Sequence, residues 1–291
     1  MKYFLLLIFL NTQSFAQNMV VVDEISKKPL PHAIVYLDTI GFYTDQNGKL
    51  DLNEIKFDSL KINYIGYNSK LLKNPFFKVI DTIFLDKKIE TLEEIFVFDK
   101  NNKKTKKLKP KPYHGITLFD NTETISCFCS KDDEETFYVK AFTYSLHLNN
   151  KYTNTDPELN DSIIHYFRLK VYENNNYNVG QFIKNIETVE IKESSFKNNY
   201  RTKLSYNFND KPLYIGQKGL CIGLEHITIE NGIKKKNKFY INSSFSKKSK
   251  YFKAKGFLRH PLSIDKKIKP YHELSEDLRG AFLIPEMIIY K

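Results

Sequence analysis

The chain predicts an all-β protein built as a small N-terminal sandwich followed by a larger sandwich or jelly roll. Three observations carry this. Aromatic residues make up 14% of the 291 residues and come from 23 Phe and 19 Tyr with no Trp, a composition that fills pleated surfaces. Apolar residues alternate with polar ones at period two in many short runs. Turn residues recur about every 8–12 positions, the rhythm of an antiparallel sandwich. The hydrophobic content of 41% is enough for real cores.

Residues 1–16, MKYFLLLIFLNTQSFA, read as a secretory signal peptide: Lys2 opens it, Phe4 to Leu10 form the apolar core, and Ser14-Phe15-Ala16 gives a small-x-small cleavage site. The apolar run is far shorter than the roughly 20 residues of a spanning helix, and no other segment reaches that length. The mature chain is expected to be exported, to the periplasm or the outer-membrane surface.

From residue 17 to 98 short strands alternate with turns. MVVVDEI precedes the polar turn SKKPLP, whose prolines cannot sit inside a ladder. AIVYLD, GFYTD, GKLDL, SLKINYIGY, KVIDTIFLD and LEEIFVF follow. The segment YTDQNGKLDLNE raises a calcium question, because Asp45, Asn47, Gly48 and Glu54 fall where an EF-hand places ligands and its turn glycine. Tyr43 stands where the first carboxylate belongs, and both flanks alternate with period two. The segment therefore reads as a tight hairpin turn, with Asn47-Gly48 supplying positive φ angles and Asp45 bonding turn amides.

Four motifs in this region, PLPHAIVYL, GFYTDQNGKLDL, INYIGY and IFLDKKIETLEEIFV, resemble the carboxypeptidase-like regulatory domain of Bacteroidetes. The resemblance implies a seven-stranded transthyretin-like sandwich. Such domains often stand at the N-terminus of exported proteins and TonB-dependent receptors. Beside it, Pro29 and Pro31 end pairing before the second strand, Gly41 and Gly48 suit bends, and Gly66 suits a bulge or close backbone approach.

Residues 99–115, DKNNKKTKKLKPKPYHG, read as a basic linker without an apolar period. The second domain, residues 116–291, offers TETISCFC, TFYVKAFTYSLHL, IIHYFRLKVYE, NIETVEIKE, RTKLSYNF, GLCIGLEHITI, KFYINSSF and AFLIPEMIIY as strands. HYFRLKVYENNNYNVGQFIKNIETVEI and PLYIGQKGLCIGLEHI also resemble a jelly-roll-type module attached to such N-terminal domains. No internal repeat joins the two regions.

Net charge is +11. The lysines are scattered and the leader points out of the cell, so nucleic acid is not the expected partner; a solvated surface, or attraction to anionic glycans or lipids, is. Cys127 and Cys129 share a strand face. A bridge from one of them to Cys221 across the sandwich and buried free thiols are both open.

No pattern of catalysis emerges. The seven histidines, His32, His114, His147, His165, His226, His260 and His272, lack the Glu three residues on that a zinc carboxypeptidase requires. HELSE at His272 ends in Glu, not the second His of a metalloprotease helix. Neither G-x-S-x-G nor a phosphate-binding glycine loop occurs. Cys127 or Cys221 with His226 could form a nucleophile pair, but GLCIGLEHI alternates like a core strand. The acidic run SKDDEET reads as a solvated hairpin. Glu225, inside an apolar run, needs a partner, and Arg168 in FRLKVY is the candidate; the two read as a structural pair. Tyr in NNNYN (174–178), KNNYR and KPYHEL could form a glycan platform. The sequence thus points to a non-catalytic envelope scaffold or interaction module, or a carbohydrate-binding module, and less to a hydrolase centred on Glu225. No cofactor or metal is called for; the expected partner is an envelope protein or a glycan.

Overall fold

The computed structural model describes residues 18–52, 55, 57–73, 82–88, 104–109, 114–118, 120–131, 137–150, 164–196, 200–208, 211–228, 239–246, 252–263, 267–270, 282–283 and 285–290. Residues 1–16, Glu54, LEEIFVF and most of SKDDEET lie outside them. The chain divides into two compact units, with the break between Ile89 and Glu90. Both are built from strands, and the expected all-β class is observed. Among the described residues no helix is long and apolar enough to cross a membrane.

The first unit contains β1 (Asn18–Asp23), β2 (Ile34–Leu37), β3 (Ile40–Tyr43), β4 (Lys49–Asp51), β5 (Ser59–Asn63), β6 (Lys70–Lys73) and β7 (Thr82–Leu85). They form a three-stranded sheet β4-β1-β7 and a four-stranded sheet β3-β2-β5-β6. Met19 and Val21 of β1, Val35 and Leu37 of β2, Leu60 and Ile62 of β5, and Ile83 and Leu85 of β7 belong to one core. Their spacing by two is what sends them to the same interior. One pairing departs from the antiparallel expectation: β1 and β7 run parallel, Val20 opposite Thr82 through Asp23 opposite Leu85.

The Asp45 turn is tight, as expected, but it is not a hairpin. β3 pairs with β2 while β4 pairs with β1, so the turn carries the chain from one sheet to the other. Asp45 Oδ1 accepts from the amides of Asn47 (2.8 Å) and Lys49 (2.7 Å), which commits this carboxylate to the turn. Only Gly48 is left-handed, at φ 69°; Asn47 is not, contrary to expectation. A Cβ at Gly48 would also lie 2.6 Å from the Val21 carbonyl oxygen. At Gly66 the glycine answers to φ 80° in a turn, with no atom near enough to demand close approach.

Asp23, at the end of β1, ties this unit together. Its carboxylate accepts from Tyr67 Oη at 2.6 Å and from the amides of Ser26 at 2.5 Å and Ile25 at 3.0 Å, with Lys87 Nζ at 3.8 Å. The Tyr67 hydrogen bond, then the Ser26 amide, hold the Asp23 carboxyl well below the usual carboxylate range.

The second unit contains β8 (Thr105–Leu108), β9 (His114–Leu118), β10 (Thr122–Ser130), β11 (Phe137–Asn150), β12 (Ile164–Asn175), β13 (Asn178–Lys192), β14 (Arg201–Asn207), β15 (Leu213–Ile215), β16 (Leu220–Thr228), β17 (Phe239–Ser246), β18 (Phe252–Arg259), β19 (Ile268–Pro270), β20 (Phe282–Leu283) and β21 (Glu286–Tyr290). One sheet has the order β13-β12-β16-β10-β18-β19. The other runs β20-β17-β11-β21-β8, with β14 and β15 on β11 and β9 on β17. Phe128, Phe167, Leu169 and Leu224 of the first sheet share a core with Val139, Phe142, Leu204 and Ile289 of the second. This is sheet-on-sheet packing.

The stretch expected as a linker is in part a strand. β8 pairs with β21, Leu108 is buried in the core, and Lys107 forms an ion pair with Glu286. A four-residue edge strand needs only one apolar anchor, so its lysine-rich composition masked it. β18, FKAKGFLR, was missed for a similar reason: lysines occupy the face away from the core.

Two predictions follow from the first unit. Gly48→Ala should cost at least about 1–2 kcal/mol, because an L-residue is strained at positive φ, and the first unit's urea midpoint should fall accordingly. The depressed Asp23 pKa means its stabilisation is fully present above about pH 5 and is lost progressively as pH falls from about 4, the unfolded carboxylate value, toward the lower folded value. Thermal melts from pH 6 to 2 should show that loss, and Asp23→Asn should flatten it.

Candidate functional site

The central strands β12, β16 and β10 of the six-stranded sheet are buried on both faces, and strand alternation sorts their side chains sharply. One face supplies Phe167, Leu169, Val171, Ile222, Leu224 and Phe128 to the core. The other carries charge and sulfur in lateral rows. In the first row Arg168, Glu225, Glu123 and Arg259 lie opposite one another across β12, β16, β10 and β18. Lys170, Gly223, Ile125 and Phe257 make the second row, and Tyr172, Cys221, Cys127 and Lys255 the third.

The expected Arg168–Glu225 pair forms, Nη1 to Oε2 at 3.3 Å. It belongs to a larger network. Lys170 Nζ lies 2.9 Å from Glu225 Oε2 and 3.4 Å from Glu123 Oε2. Arg259 Nε donates to Glu123 Oε2 at 2.9 Å, and its Nη2 donates to Glu123 and to the Tyr172 hydroxyl. Tyr172 Oη donates to Glu123 Oε1 at 2.5 Å. Burial, then the Glu123 charge, pushes the Tyr172 phenol well above its ordinary value, so it serves as a donor. Gly223 makes this possible: a Cβ there would overlap Glu123 Oε1, so the missing side chain is the notch in which the carboxylate lies. Both carboxylates are fully buried and held by cations.

Of the two alternatives open for the sulfurs, the bridge to Cys221 forms. Cys127 and Cys221 are bonded to each other between neighbouring strands of one sheet, not across the sandwich, and neither is a free thiol. Cys129 is the free, half-buried one. His226 lies on the opposite face of β16 from Cys221, so the pairing of either bridged cysteine with His226 as nucleophile and base does not form. Instead His226 Nε2 meets His165 Nδ1 at 3.0 Å, and Phe167 stacks on His226 at 4.8 Å with rings 9° apart. Glu193 Oε1 is 3.6 Å from His165 Nε2, and Asp120 Oδ1 is 3.7 Å from His226 Nδ1. This four-membered chain of acids and imidazoles went unseen in the sequence, because its members come from four separate segments.

At one end of the same sheet a cleft of about 660 Å³ opens, lined by Cys129, Glu173, Asn174–Tyr177, Ile183 and Gln217–Leu220. Its wall is the β12–β13 turn. Asn175 and Asn178 pair, and Asn176 (φ 51°) and Tyr177 (φ 60°) are both left-handed, as a two-residue type I′ turn requires. Asn suits that conformation; a Tyr there is uncommon. The Tyr177 amide donates to Asn174 Oδ1 at 2.8 Å, and its hydroxyl shares a hydrogen bond of 2.7 Å with Cys129 Sγ. Of the three tyrosine segments singled out in the sequence, NNNYN forms this wall. In KNNYR, Tyr200 sits in a turn at φ 57°, and Tyr271 of KPYHEL lies outside the described residues.

Among the described residues no cluster of three or more His, Cys, Asp or Glu is placed to hold a metal ion. No protein-family model matches the chain, and comparison with curated proteins and with solved structures finds no match.

Glu225→Gln leaves Arg168 and Lys170 under-compensated in a buried site and should cost about 3–5 kcal/mol, read as a lower denaturant midpoint of the second unit. Replacing both bridged cysteines by Ala removes a cross-link spanning 94 residues and should cost about 4–5 kcal/mol on loop entropy.

Proposed function

We propose that the protein is an exported, non-catalytic binding protein of the cell envelope whose second unit takes a carbohydrate in the cleft beside the β12–β13 turn. The observation that carries this reading is Tyr177: a bulky ring kept at a left-handed turn position, on the wall of a cleft otherwise lined by Asn174, Asn175, Asn176, Gln217 and Lys218. Left-handed backbone costs a non-glycine residue about 1–2 kcal/mol, and such strain clusters where a side chain has work to do. Side-chain amides match vicinal hydroxyls as paired donors and acceptors, and an aromatic ring offers an apolar face to a sugar. The leader-like residues 1–16 support export. The non-catalytic reading is supported by Glu225, on which the hydrolase alternative centres, which is buried away from the cleft and neutralised by Arg168 and Lys170. The first unit then serves as the scaffolding or interaction module that its resemblance to regulatory-type domains implies.

The test is a broad glycan array probed with residues 17–291, followed by calorimetry on hits. Tyr177→Gly should weaken binding at least about tenfold, a loss of ~1.4 kcal/mol, while leaving stability unchanged or higher. Silence across the array, or unchanged affinity in Tyr177→Gly, removes the reading; a glycan shortened during incubation would identify a hydrolase instead.

A further inference from the structure

We propose that Cys129, Cys127 and Cys221 form a thiol–disulfide exchange unit that opens into the cleft, with Cys129 as the sulfur that meets external low-molecular-weight thiols and disulfides. This does not depend on the cleft's taking a carbohydrate.

The three sulfurs occupy one face of the six-stranded sheet. Cys127 and Cys221 are directly opposed and bonded. Cys129 follows two residues along β10 on that face, so its Cα lies about 6.8 Å from that of Cys127 at the rise of an extended strand. That separation is at the edge of what a disulfide spans, about 4.4–6.8 Å between Cα atoms. Access is graded. The bridged sulfurs belong to fully buried residues, whereas Cys129 is half-buried and lines the cleft. Space in front of it is kept by Gly219, held at φ 71°, where a Cβ would stand 2.8 Å from Cys129 Cβ. Lys253 is directly opposite Cys129 on β18, and Lys218 lines the cleft together with Glu173. Two cations beside one carboxylate favour an anionic visitor such as glutathione.

The internal step balances without an oxidant. The Cys129 thiolate attacks the Cys127 sulfur; the 127–129 bond forms as the 127–221 bond breaks. The electron pair leaves on Cys221, which takes up the proton Cys129 released. In the external step Cys129 attacks one sulfur of a small disulfide, expels the other as thiolate, and becomes a mixed disulfide. Once the bridge includes Cys129, a small thiol attacks the Cys129 sulfur, forms a mixed disulfide there and frees Cys127 as a thiol; a second small thiol then frees Cys129 and leaves as the small disulfide, so the solvent gains a route to a bridge it cannot reach directly.

The experiment incubates residues 17–291 in mixed reduced and oxidised glutathione, quenches with acid, alkylates, and maps the sulfurs by peptide mass spectrometry. The expected result is a glutathione adduct on Cys129 together with a fraction of rearranged bridge, Cys127–Cys129, in protein whose circular dichroism is native. Cys129→Ser and Cys129→Ala should both retain only the Cys127–Cys221 bridge and slow its reduction at least about tenfold. The proposal is overturned if Cys129 stays an alkylatable thiol throughout, if its adduct forms while the bridge never rearranges, or if both variants lose the bridge at the wild-type rate.

Discussion

Glu123 is the group on which the second unit's organisation turns. Its carboxylate, withdrawn from water on the face of the sheet away from the main core, is shared by Arg259, Lys170 and Tyr172. Withdrawing such ions from water costs several kcal/mol each, so the network contributes less to net stability than to uniqueness. It fixes register. A slip of one residue in β12 would drive Arg168 and Lys170 into the interior occupied by Phe167 and Leu169 and turn those side chains to the ionic face. The apolar face alone tolerates many packings; the ionic face admits one.

The same alternation explains why the sulfur and the cleft lie where they do. Along β10, the residues on the ionic face are Glu123, Ile125, Cys127 and Cys129, so the face passes from charge through apolar filler to a disulfide and then to a thiol at the rim. Ile125, Phe257, Tyr172 and the bridged cysteines form a small second core that separates the ion network from the cleft. The buried ions and the cleft are kept apart within one sheet, which lets those ions stay paired while the rim remains open to solvent.

Much of this was legible in the sequence, and what was not has identifiable physical causes. Strands with clean alternation, such as those around Val35, Ile62 and Phe167, were readable because one face must be apolar. The Arg168–Glu225 pair was readable because an acid inside CIGLEHI must find a cation. Glu123 and Arg259 were not, since pairing register is a long-range property that no local pattern carries, and FKAKGFLR disguises its buried face with lysines. The Asp45 turn shows the limit of local chemistry: its hydrogen bonds were foreseeable, its role as a corner between two sheets was not. Nor could the spacing of three cysteines choose among partners; adjacency of β10 and β16 did so.

The parallel pairing of β1 with β7 sets an order on assembly. A hairpin can close as soon as its second strand exists, but Val20 must wait for Thr82 and Val21 for Ile83. The loop between them spans most of the first unit, and its closure entropy must be met before the contact returns anything. During synthesis one edge of the opening strand therefore stays without its neighbour until Leu85 has emerged, while its other edge is served earlier by β4.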